Sequence, residues 1–111
     1  MFGSSLTGAW ITLVFAAILE VGWAIGLKHT SGFSKFWPSL LTIALMVGSF
    51  SLLADAMRHI PIGTAYAVWT GIGAVGVAIV GIVMFGDSAT PARFAGLALV
   101  ASGIVVLKLA S

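Results

Sequence analysis

The stretch AWITLVFAAILEVGWAIGL, Ala9–Leu27, decides how the chain folds. As an α-helix its 19 residues rise about 28 Å, close to the ~30 Å hydrocarbon layer of a bilayer. One of its side chains, Glu20, is charged, and it lies about two residues past the centre, roughly 3 Å from the midplane. Insertion scales put an ionised carboxylate at that depth about 2.5–3.5 kcal/mol uphill. Low dielectric disfavours the charged form, so Glu20 is expected to exchange a proton readily. A permanently neutral Glu that hydrogen-bonds a neighbouring helix is the plainer alternative, but acids inside membranes usually mark ion paths.

The rest of the composition agrees with a lipid-dissolved chain. Of the 111 residues 60% are hydrophobic and 7% charged, against roughly a quarter charged in soluble domains. Cysteine is absent, which excludes disulfides and thiol chemistry. A net charge of +2, scattered along the chain, offers no nucleic-acid surface. A secretory signal would want a basic leader and a small-x-small cleavage site; residues 1–7 carry no Lys or Arg, and no Ala-x-Ala follows. The first apolar run is therefore expected to stay as a membrane helix.

Four apolar segments follow one another, at about 9–27, 38–57, 63–85 and 90–109, with short polar breaks between them. Pro38 suits a first helical turn, and Thr90-Pro91 reads as a cap followed by a first-turn proline. The expectation is an all-α membrane protein, one domain of four transmembrane helices over residues 1–111. Basic residues set orientation. Arg58 and Lys108 fall at one end of the helices, Lys28, Lys35 and Arg93 at the other. A bias of one charge cannot fix a topology, so the chain is expected to insert both ways and to form an antiparallel, dual-topology homodimer. Four helices also hardly suffice to enclose a polar chamber and seal it from lipid, whereas a second copy supplies eight helices and two Glu20 carboxylates. Inverted repeats around a midplane site are a common route to alternating access.

Trp23 follows Glu20 at i+3, on the same helix face, and sits deeper than the interfacial belts that indoles favour. Trp10 and Trp37, near helix ends, read as belt residues. Tyr66 and Trp69 repeat the i, i+3 spacing in the third helix. Aromatic faces attract cations most where water is excluded, and indole N–H or phenol O–H groups can hold a carboxylate. Each ring alone would be read as packing; three beside one buried acid suggest a cation site. In the second helix Ser49 could donate to Glu20, and spacing does not separate it from Ser51; a hydroxyl bonded to its own helix is the alternative for both. Gly71, Gly73 and Gly76 match G-x-G-x-x-G, but the run lies inside an apolar helix with no preceding strand, so it signals close packing or a bend rather than a dinucleotide site. Gly22 and Gly26 form a weaker G-x-x-x-G packing signal. Gly96 and Gly103, a heptad apart on a fourth helix with little mid-span polarity, suit a helix–helix seam between copies. His29 and His59 lack spaced partner ligands, so no metal and no cofactor is expected. Asp55 and Arg58 are expected to pair at the membrane surface. No nucleophile–base set is visible, which argues against an enzyme.

With these residues in view, the chain resembles the small multidrug resistance family of bacterial inner-membrane transporters, and within it the guanidinium-exporter subtype. The resemblance runs from about Ala9 onward, with Met1–Gly8 as an added leader. It is carried by LEVGWAIGLK (Leu19–Lys28) and PIGTAYAVWTGIG (Pro61–Gly73). It implies an antiparallel dimer that exchanges protons for guanidinium, with Glu20, Trp23, Ser49, Tyr66 and Trp69 at the central site. Ser49 is singled out over Ser51 by its context, Gly48-Ser-Phe50. The resemblance also implies a bend at the glycines of the third helix and dimerisation through Gly96 and Gly103. Trp23 marks the guanidinium subtype against exporters of polyaromatic cations. Two features depart from the family pattern: Gly22 stands where a larger apolar residue is common, and Phe85–Pro91 lacks the usual acid–proline turn. The rival expectations are an exporter of quaternary ammonium compounds on the same fold, and a non-transporting membrane subunit in which Glu20 serves assembly.

Overall fold

The computed structural model describes residues 5–110 as four helices: α1 (Leu6–His29), α2 (Phe36–Ala56), α3 (Ile62–Met84) and α4 (Pro91–Ala110). Each is long and apolar enough to cross a membrane. α1 begins at Leu6 rather than at the expected Ala9, because the Ser5 hydroxyl caps it by accepting the Gly8 N–H at 3.0 Å. Of the expected leader, residues 1–4 lie outside the described residues, and residues 6–8 form the first turn of α1. At α4 the Thr90 hydroxyl accepts the Arg93 N–H at 3.2 Å and Pro91 occupies the first helical position.

The connections are tight. Thr30, fully buried, winds the α1–α2 turn about itself: its hydroxyl donates to the Leu27 carbonyl and accepts the Phe33 N–H. Ser31, Gly32 and Phe33 all take left-handed backbone angles there. After α3, left-handed Gly86 lets the Asp87 N–H return to the Gly81 carbonyl at 3.1 Å. Asp55 and Arg58, 3.5 Å apart, pair at the end of α2 as their spacing suggests.

α1 is the hub. It packs along α2 and more lightly on α3, while α2 and α3 barely touch and α4 leans on α3. The four helices spread into a slab of 39 × 36 × 17 Å, less than two helix diameters thick. The core lies toward the end that holds the termini. There Ala9, Leu13, Ala16 and Ala17 of α1, spaced i, i+4, i+7, i+8, meet Leu53 and Ala56 of α2 and Ala65, Val68 and Trp69 of α3. Small residues carry the α1–α2 seam further on, with Gly22 against Leu45, Gly26 against Thr42 and Gly48 against Leu19. No residue of α4 is buried.

Candidate functional site

Glu20 sits where the tight core of α1 gives way. Ala16 and Ala17, one turn earlier, have no exposed surface, whereas every residue from Leu19 to Gly26 is half-buried. The carboxyl group lies on α3 against Gly73, so closely that a Cβ added there would strike its Oε1 and Cδ atoms. Only glycine leaves that room. Gly76, one turn on, admits Val21 of α1, and Gly71, on the opposite side of α3, admits Ile104 and Val100 of α4. α3 is helical throughout Ile62–Met84, including the glycine stretch expected to bend. These glycines are contact points for α1 and α4. Oε1 of Glu20 is buried and has no hydrogen-bond partner among the described residues.

An aromatic wall stands beside the acid. Trp23 lies 6.5 Å from Trp69 and 5.9 Å from Phe50, ring centroid to centroid. Phe50 meets Trp69 edge-on at 5.7 Å, and Tyr66 lies 5.8 Å from Trp69. Such offset and edge-to-face arrangements are the favourable ones. Trp69 is 6% exposed and Tyr66 56%, so the wall runs from the core outward to the surface. The indole N–H of Trp23 is buried without a partner, a second polar atom awaiting one.

Ser49 ties the wall together. Its hydroxyl is fully buried, accepts the Trp69 indole N–H at 3.0 Å and donates to the Ala16 carbonyl of α1 at 2.7 Å. The single hydroxyl proton thus goes to the α1 backbone one turn before Glu20 and not to the carboxyl, the partner that spacing had suggested. By the i to i−4 pattern, that carbonyl also takes the Glu20 backbone N–H. Ser49 therefore fixes the stretch of helix from which Glu20 projects. Ser51 faces outward and is exposed.

All five expected site residues fall in one neighbourhood built from α1, α2 and α3, with Trp69 the ring that touches most of the others. Phe50 completes the wall and carried no sequence signal beyond adjacency to Ser49. Trp10 and Trp37, expected in the belts, lie apart from the wall. Trp10 sits under the Lys108 ammonium, 4.9 Å from ring centroid to Nζ, and Trp37 is largely exposed beside Phe36. Gly96 and Gly103 face open space, where an added Cβ would meet nothing within 4 Å.

Chemically, the arrangement offers one acid with an unused oxygen, an unpartnered indole donor and several π-faces. That set suits a small cation with hydrogen-bond donors. Residues 8–100 match the family described as "Small Multidrug Resistance protein". The guanidinium exporter of Escherichia coli strain K12 is 59% identical over 93% of this chain and 98% of its own length. Those of Citrobacter freundii and Salmonella typhimurium are 57% identical over the same shares. With the family's match spanning most of the four helices and the relatives covered nearly end to end, the chain belongs to the Small Multidrug Resistance family of membrane transporters.

Proposed function

We propose that the chain is a multi-pass protein of the bacterial inner membrane that exports guanidinium in exchange for protons, working as an antiparallel homodimer. The observation that carries this is the Glu20 carboxyl seated on Gly73 beside the Trp23–Trp69 wall, with an oxygen that no described residue satisfies. The names of the relatives supply the substrate. Guanidinium is planar and rich in donors, and carboxylates bind such forks bidentately through charge-assisted hydrogen bonds. Trp23, Trp69 and Tyr66 add cation–π attraction, about 2 kcal/mol or more where water is excluded. Ser49 contributes by positioning, holding the Trp69 ring and the α1 backbone.

A second copy is needed to finish the site. A slab 17 Å thick cannot enclose a cation, Tyr66 is half open, and no residue of α4 is buried. Two chains inserted in opposite senses would face their Glu20 carboxyls across one chamber. Gly96 and Gly103, bare within the chain, would form the seam. Protons and guanidinium then compete for the same two carboxyls: protonation removes the negative charge and expels the cation, and cation binding displaces the protons. Rocking of the two subunits would expose the chamber to each side in turn.

The test is Glu20→Gln in proteoliposomes. Substitution keeps the volume and removes the charge, and a proton gradient is expected to drive no guanidinium flux in this variant. Retained gradient-driven flux would overturn the assignment.

A further inference from the structure

A groove of about 520 Å³ opens on the side of the molecule away from Glu20, between α1, α3 and α4. Val14, Val68, Ile72 and Ile104 form its apolar walls, and Trp10 and Lys108 stand at its end beside the termini. From Trp10 to Val14 and on to Ile72 it runs from the membrane surface inward, as an acyl chain does. Two polar groups at the outer end lack an acceptor. The Trp10 indole N–H is buried with no partner, and Trp10 as a whole is 9% exposed. The Lys108 ammonium rests over the Trp10 ring, and among the described residues no carboxylate pairs with it. A buried donor, and a cation with no carboxylate partner among the described residues, at the mouth of an apolar groove ask for an anion that carries an apolar tail.

We propose that this groove binds an anionic phospholipid, with one acyl chain along α1 and α3 and the phosphate held by Lys108 and the Trp10 N–H. A second copy of the chain is the other candidate occupant. At 3.6 residues per turn, Val105 and Lys108 lie roughly opposite Gly96 and Gly103 on α4, so pairing through those glycines leaves the groove to lipid. Charge complementarity supports the phospholipid, whose phosphate would meet the Lys108 ammonium at the membrane surface.

Native mass spectrometry of the full-length protein, released from nanodiscs of equal phosphatidylglycerol and phosphatidylcholine, tests this. The wild-type protein is expected to retain phosphatidylglycerol about fivefold over phosphatidylcholine, the worth of one lysine at an anionic surface. Lys108→Gln is expected to bring the two near parity, and Val14→Trp, which fills the groove and keeps the charge, to reduce retention of both. Circular dichroism confirms that each variant is folded. A preference that survives Lys108→Gln would overturn the proposal by placing the lipid on other basic residues. Loss of self-association in Val14→Trp with unchanged lipid retention would overturn it by assigning the groove to a second copy.

Discussion

Gly73→Ala separates the site from the fold. The new methyl would fall on Glu20 Oε1 and Cδ and lie 3.0 Å from Cγ. These atoms form the far end of a flexible side chain, so the carboxyl gives way and the helices stay in place. The substitution itself favours α3, since alanine is better than glycine in a helix by about 1 kcal/mol. Thermal stability is therefore expected to hold or rise. Binding should suffer. A carboxyl turned off its seat forfeits one of the two charge-assisted bonds to guanidinium, about 1.5–3 kcal/mol, which is ten- to hundredfold in affinity. Calorimetric titration of the purified protein with guanidinium, beside a thermal melt, reads both quantities. Gly76→Ala is the contrast, because its methyl would come 2.6 Å from Cγ2 of Val21, a stiff β-branched side chain that forces the helices apart. That variant should lose stability. If Gly73→Ala binds guanidinium within twofold of wild type, Glu20 is not held by that glycine and the geometry argued here fails.

Ser49→Ala removes the acceptor of the buried Trp69 N–H and the bridge to Ala16. A loss of about 1–3 kcal/mol is expected in reversible unfolding, and superimposable unfolding curves would contradict the positioning role. Gly96→Leu combined with Gly103→Leu meets open space within the chain, so helix content by circular dichroism should be unchanged while chemical cross-linking loses the dimer. A normal cross-linked dimer in that variant would remove those glycines from the seam.

The four spans were legible because a bilayer imposes one length and one polarity on every crossing segment. The helix ends were less so: Ser5 extends α1 by a turn, a cap hidden in the polar leader. Glu20, Trp23 and Trp69 drew notice as unusual residues for their depth, and Tyr66 by its i, i+3 spacing to Trp69. What spacing could not give is the absolute rotation of a helix. Gly71 and Gly73 differ by about 200° around α3, and only packing shows that one meets Ile104 and the other Glu20. The same ignorance hid the Ser49 proton's destination, because a backbone carbonyl on another helix has no sequence signature. It also hid Phe50, an ordinary apolar residue until the rings are seen together.

Proton and cation compete for Glu20 in the proposed cycle, and proton release on binding measures that competition most directly. Guanidinium added to the purified protein in weakly buffered solution near neutral pH should acidify it. The acidification should vanish in Glu20→Gln, and guanidinium affinity should weaken steadily as pH falls. Saturable binding that releases no proton and holds the same affinity across pH would contradict it.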